Sequence, residues 1–238
     1  MNILAIIPAR GGSKGIKDKN IANLDGHPLI AYSIAAAKSF NKIDRILCTT
    51  DSKKIAKIAE EYGAWVPFLR PPELAEDDTP DFPVFHHAIG WLKKNENYIP
   101  DIIVHLRPTT PIRFKEDIIK SIEEFIKNPS ADSMRAVCPA PNTPYKMWLQ
   151  KGEFIEPLLK IPGIDEPYNM PRQKLPQVFW QTGYIDIIRI KTLTELKSMT
   201  GKRILPYFID SDIVVDIDNE YDLKRAEEII RRTNCIKP

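Results

Sequence analysis

Apolar residues along this chain come in two alternating textures. Short runs dense in Ile, Val and Leu are followed by longer stretches in which apolar residues recur every three or four positions. The first texture fits strands covered on both faces and the second fits amphipathic helices. On this basis Asn2–Ile7, Arg45–Thr50, Ala64–Phe68, Asp101–Leu106, Ser133–Pro139, Tyr184–Ile190 and Ile213–Ile217 are predicted strands. The predicted helices are Leu29–Phe40, with Pro28 as a first-turn residue, then Lys53–Tyr62, capped by Ser52 and stopped by Gly63. Phe85–Lys94, Lys115–Lys127, a helix from Leu193 and Glu220–Arg231 follow. Alternation of this kind predicts an α/β fold with a mostly parallel sheet covered by helices.

Two stretches interrupt it. Arg70–Pro83 carries Pro71, Pro72, Pro80 and Pro83 among acidic residues and is predicted to be an ordered loop. Residues 140–182 hold prolines 141, 144, 157, 162, 167, 171 and 176 together with Tyr145, Trp148, Phe154, Tyr168, Phe179 and Trp180. That segment is too apolar for a disordered linker, so it is expected to form short strands that pack against something, a second subunit being the candidate. The organisation expected is one domain over residues 1–238 with 140–182 as an excursion, in keeping with a length of 238 residues.

Composition excludes more than it assigns. Lys and Arg total 34 against 32 Asp and Glu, a net charge of +2, too balanced for a protein whose main task is to coat nucleic acid. The chain enters a strand at once, with no basic leader and no long apolar run, so a cytoplasmic protein without a membrane span is expected. Cys48, Cys138 and Cys235 are too scattered for a zinc site or a disulfide framework, and His27, His86, His87 and His105 lack ligand spacing.

The local chemistry lies first in ILAIIPARGGSKGIKDKN, residues 3–20. A buried strand runs into a loop with Arg10, Lys14, Lys17 and Lys19 and with Gly11, Gly12 and Gly15, where backbone amides can turn toward an anion and the side chains supply charge. Neither the P-loop triplet nor the dinucleotide glycine fingerprint is present. Asp216 and Asp218 lie two apart at the end of an apolar run, where both carboxylates can share a hard divalent cation, magnesium by preference; alternatively Asp218 caps the last helix and Asp216 is incidental. Arg70, before a double proline, and Arg107, at a strand end, can each face an anion or form a surface ion pair.

Together IIPARGGSKGIKDKNI, LRPPELAEDDTP, HLRPTTPIR, PRQKLPQ and DIDNEYDL, in this order and spacing over nearly the entire chain, resemble the acylneuraminate cytidylyltransferases, the CMP-sialic or CMP-nonulosonic acid synthetases. The resemblance implies a Rossmann-like nucleotidyltransferase with helices on both sheet faces, magnesium dependence, and a homodimer in which the excursion reaches the partner's active site. It implies that CMP passes from CTP to the anomeric hydroxyl of an acidic 2-keto-3-deoxy sugar. Arg10, Gly11, Gly12, Ser13, Lys14, Lys19 and Asn20 match the CTP loop, Arg70 a nucleotide contact, and Asp216 and Asp218 the metal pair. Lys19, Arg10 and Asp216 are the expected catalytic residues.

On the acceptor side the resemblance points to Arg107, Thr109, Lys146, Arg172, Thr182 and Asp186. Here the chain departs from the family: Arg107 replaces a glutamine, Thr182 an asparagine and Asp186 a tyrosine. Arg107 adds a fixed positive charge suited to an anionic substituent; equally, Arg107 and Asp186 can pair with each other and not touch the substrate. An eight-carbon keto acid, another sugar nucleotidyl transfer and a non-catalytic nucleotide-binding homologue are the alternative readings.

Overall fold

The computed structural model describes residues 1–13 and 15–238. In chain order the elements are β1 (Ile3–Pro8), β2 (Asn23–Leu24), β3 (His27–Pro28), α1 (Leu29–Lys38), β4 (Arg45–Thr49), α2 (Lys53–Glu61), α3 (Asp81–Glu96), β5 (Ile102–His105), α4 (Lys115–Lys127) and β6 (Ser133–Pro139). Then come β7 (Trp148–Lys151), β8 (Phe154–Pro157), β9 (Phe179–Arg189), α5 (Ile190–Thr194), β10 (Ile204–Phe208) and α6 (Glu220–Arg232). Short 3-10 turns punctuate the loops. The chain divides into two compact units, Met1–Ala136 with Thr182–Pro238, and Val137–Gln181.

The first unit carries a six-stranded sheet in the order β10-β6-β9-β5-β1-β4. Strand β1 pairs in parallel with β4, from Leu4 opposite Arg45 to Pro8 opposite Thr49, and with β5 from Ile3 opposite Ile102. Strand β9 runs antiparallel to β5, with Asp186 opposite His105. The fold is therefore α/β with a mostly parallel sheet. Ile3 through Ile7 are buried without alternation, as a strand covered on both faces requires. Leu4, Ile6, Leu47 and Ile103 pack with Val84, Phe85, Ala88 and Leu92 of α3, and a second layer joins Leu29 and Tyr32 of α1 to Ala226, Ile229 and Ile230 of α6.

Three expectations need correction. Ala64–Phe68 forms only one isolated bridge: Trp65 N–H donates to Ile46 O and Trp65 O accepts from Cys48 N–H, but Pro67 has no N–H to continue a ladder. Helix α3 begins at Asp81, four residues before the predicted Phe85, because Pro83 falls in the first turn, where its missing N–H would have no helical partner. Ile213–Ile217 is a 3-10 turn followed by irregular backbone. Val215 and Ile217 are buried there, but Ile217 N–H donates to Thr109 O in a loop and not to a neighbouring strand. Four smaller differences remain: α5 spans Ile190–Thr194 and does not start at Leu193, and β9 begins at Phe179, five residues before Tyr184. Pro28 is the N-cap of α1, one position before its first turn, and β10 went unforeseen because Pro206 sits within it.

In the second unit β7 and β8 form an antiparallel hairpin, with Lys151 opposite Phe154. Prolines open the 3-10 turns at Pro144 and Pro167. Trp148 stacks at 4.6 Å from Tyr168, while Leu149, Phe154 and Ile155 face solvent, Phe154 with 79% of its surface exposed. Among the described residues no helix is long and apolar enough to cross a membrane.

Candidate active site

Parallel pairing brings the carboxyl ends of β1, β4 and β5 to one edge, where open α/β sheets leave a crevice for ligands. A cleft of about 250 Å³ opens there, lined by Arg10, Lys19, Asn20, Arg70, Arg107 and Thr109. A larger cavity of about 660 Å³, around Asp132, Lys191 and Arg203, contains none of the residues singled out above.

The loop after β1 is held at several points. Ala9 N–H donates to Thr49 O, Gly11 N–H to Asp51 Oδ1 at 2.8 Å, and the buried Asn20 side chain donates to Arg10 O, tying the loop's end to its start. Gly12 has φ +67°, a left-handed turn that a side chain would strain. Gly15 passes so close to the carbonyl of Asp218 that a Cβ would stand 2.4 Å from its oxygen. Lys19 Nζ closes the same junction, donating to Ile217 O at 2.8 Å and Asp218 Oδ1 at 3.0 Å. Arg10 is paired with Asp77 at 2.6 Å. Lys14 lies outside the described residues.

Arg70 is buried, its guanidinium donating to both oxygens of Thr49 and to Leu74 O. Burial lowers its pKa, with Asp51 opposing that shift. Asp216 and Asp218 keep exposed edges beside the loop. Partial burial raises the Asp216 carboxyl above its ordinary value and the charge of Asp218 adds to the rise, against a hydrogen bond from Thr109. The last helix is capped by Asn219, in a capping box with Asp222, so Asp218 is not its N-cap.

On the β5/β9 side Asp186 is the centre. Its buried carboxylate accepts from Arg107 Nη1 at 2.5 Å and Arg135 Nη1 at 3.3 Å, and His105 Nδ1 stands 3.8 Å away. Arg107 also reaches Asp81 at 3.0 Å. Burial opposes the charge on Arg107, but Asp186 and Asp81 outweigh it and hold its pKa above the ordinary value. His105 is pushed well below its usual range by complete burial and then by the three arginines Arg107, Arg135 and Arg113. Arg107 and Asp186 thus pair with each other.

The turn bearing Arg107 is fixed from beneath by fully buried Arg113, which donates to Arg107 O at 2.9 Å and to Tyr184 O at 2.6 Å, with Ser33 Oγ adding a bond to Arg107 O. Burial brings Arg113 down to about 9. Thr182 is buried and its hydroxyl donates to Ala136 O, so its side chain does not face the cleft. Lys146 and Arg172 meet in the second unit around a cavity of about 440 Å³, Arg172 donating to Ala140 O and Pro141 O. Sequence reasoning missed Arg135 and Asp81, which lie outside the motifs, and gave Arg113 no role although it ends HLRPTTPIR.

The comparisons agree with this geometry. A family model described as cytidylyltransferase matches residues 4–144. The chain is 34% identical over 235 residues to post-translational flagellin modification protein B of Campylobacter coli, covering 98% of this chain and 96% of that one. It is 34% identical to the CMP-N,N'-diacetyllegionaminic acid synthase of Legionella pneumophila, covering 97% of each. A solved CMP:2-keto-3-deoxy-manno-octonic acid synthetase in complex with CTP superposes with a TM-score of 0.71 over 98% of this chain and 99% of that one; at 12% identity the likeness is one of fold. Matched by the family model over more than half its length and by such relatives over nearly all of it, the chain belongs to the cytidylyltransferase family, in the acylneuraminate group its motifs resemble.

Proposed function

We propose that the protein transfers CMP from CTP to the anomeric hydroxyl of a nonulosonic, sialic-acid-like 2-keto-3-deoxy sugar acid and releases pyrophosphate. The observation that carries this reading is the convergence of Arg10, Lys19, Asn20 and Arg70 with the Asp216/Asp218 pair at one sheet edge. Relatives named as synthases of CMP-linked nonulosonic acids support the acceptor class.

In this reading the amides and side chains of Arg10, Gly11, Gly12, Ser13, Lys19 and Asn20 hold the triphosphate, and Arg70 steadies the nucleotide. Attack by the acceptor hydroxyl on the α-phosphorus moves negative charge onto the leaving pyrophosphate. Lys19 and Arg10, already fixed by their hydrogen bonds, neutralise that charge without reorganising. Thr109 and Arg107 orient the acceptor from the β5/β9 side, and Asp186 holds Arg107 in place.

Asp216 and Asp218 fit magnesium. Their mutual repulsion is relieved by a divalent cation, and both retain exposed edges. Among the described residues no third acidic or histidine side chain joins them, which suits an ion that keeps several waters and takes substrate phosphate oxygens. When bound, the ion neutralises phosphate charge. The reading also takes the protein to be cytoplasmic and homodimeric through the exposed apolar face of the hairpin β7–β8, with Lys146 and Arg172 lent to the partner's acceptor site.

The test is a pyrophosphate-release assay with CTP, Mg²⁺ and a panel of N-acetylneuraminic, deaminated, legionaminic, pseudaminic and eight-carbon keto acids. Turnover of a nine-carbon acid is expected. Preference for the eight-carbon acid, or turnover of none, refutes the reading.

A further inference from the structure

The cations of the cleft divide across the sheet. Arg10, Lys19 and Arg70 belong to the β1/β4 side with the glycine loop, whereas Arg107 follows β5 and bonds Asp186 of β9 on the other side of the same cleft. Two carboxylates hold Arg107, and they differ in standing. Asp186 is buried, with its side chain 3% exposed, and is shared with Arg135. Asp81, the first residue of α3, is 42% exposed and lines the cleft mouth.

Charge accounting separates their roles. Arg107 and Arg135 both bond Asp186, and buried Arg113 adds a third guanidinium close by, so Asp186 alone does not balance the positive charge around Arg107. Asp81 adds a second negative charge on Arg107. A group that takes its place on Arg107 Nη2 must itself be an anion, because a hydroxyl or amide would leave a partly buried guanidinium uncompensated. Asp186 cannot be the one displaced: its removal would strand two arginines.

We propose that Asp81 is an exchangeable stand-in for the acceptor: it occupies Arg107 in the empty cleft and yields it to the carboxylate of the incoming sugar acid, while Asp186 stays as the fixed counter-ion. This rests on the reading of the cleft as a cytidylyltransferase site and adds to it a specificity device built from Asp81, Arg107 and Asp186. Arg135 acts as a positioning residue by holding Asp186.

Asp81→Asn keeps the size of the side chain and removes the competing anion. A half-exposed pair of this kind contributes about two- to fivefold to an equilibrium, so KM for the sugar acid is expected to fall by about that factor at unchanged KM for CTP. In an Arg107→Gln background, where the acid KM is raised, adding Asp81→Asn is expected to change nothing further, as coupling through one shared partner requires. Melting curves establish that each variant is folded; if Arg107→Gln is not, the single Asp81→Asn comparison decides. Unchanged KM for the acid, or a fall in KM for CTP instead, overturns the exchange. Absence of turnover by the parent protein with every acid overturns the functional reading itself, a result distinct from either.

Discussion

Replacing Gly15 by alanine tests the junction between the basic loop and the acidic pair. A methyl group there would stand 2.4 Å from the carbonyl oxygen of Asp218, and ordinary contact begins at 3.4 Å, so one side must give by about 1 Å. The obstacle is backbone and cannot rotate away. The displaced elements are the ones that carry Lys19 and Asp218, joined at 3.0 Å. A 1 Å misplacement of catalytic groups costs on the order of 100-fold, or about 2.7 kcal/mol, in kcat/KM. Because the junction is at the surface, the melting temperature should move by only about 2 °C. Gly12→Ala is the contrast: at φ +67° with no atom within 4 Å, it meets strain of about 1 kcal/mol but no clash. Steady-state pyrophosphate release should therefore fall about 100-fold for Gly15→Ala and no more than about tenfold for Gly12→Ala. A Gly15→Ala enzyme within about twofold of its parent would refute the coupling of loop to acidic pair.

Other outcomes can be checked with the same protein. Lys19→Ala should lower kcat by about 100-fold or more while weakening CTP binding much less, since its charge is needed most as pyrophosphate leaves; unchanged kcat sinks that role. Asp216→Asn should raise the magnesium concentration for half-maximal turnover, and full turnover at limiting magnesium would remove it from the metal pair. His105 is held neutral in the fold, with its pKa well below the ordinary 6.5, so the unfolded chain takes up the proton first as pH falls. Stability should drop below about pH 6.5 by up to about 1.4 kcal/mol per pH unit, and denaturant titrations of His105→Leu should show that component gone. Phe154→Glu combined with Ile155→Lys should turn a dimer into a monomer in analytical ultracentrifugation; a parent protein already monomeric at micromolar concentration contradicts the proposed assembly.

Much of the fold was legible because its signals are local. Helix α4 and strand β6 have the predicted bounds, Lys115–Lys127 and Ser133–Pro139, since amphipathic spacing in one and an apolar run in the other leave no competing choice. Ser52 caps α2 as expected, accepting Ile55 N–H. Where backbone chemistry depended on a distant partner, the reading failed: Ile213–Ile217 is an apolar run like a strand's, yet among the described residues no strand pairs with it. The acceptor side was legible only as a list of substituted positions, because nothing near Arg107 in sequence announces Asp81 or Arg135.

By itself, then, the chain determined the α/β alternation, the glycine and cation loop after β1 and the acidic pair near the last helix. Each is written in neighbouring residues whose propensity and periodicity act over a few positions. Tertiary structure alone decided what these features mean together. Lys19 meets Asp218 across 199 positions, and Arg107 meets Asp186 across 79. Antiparallel β9, set beside β5, is what carries Asp186 into a ring of arginines. Such encounters follow from strand order and burial, where low polarity forces every charge to find a counter-charge, and no local pattern encodes which one it finds.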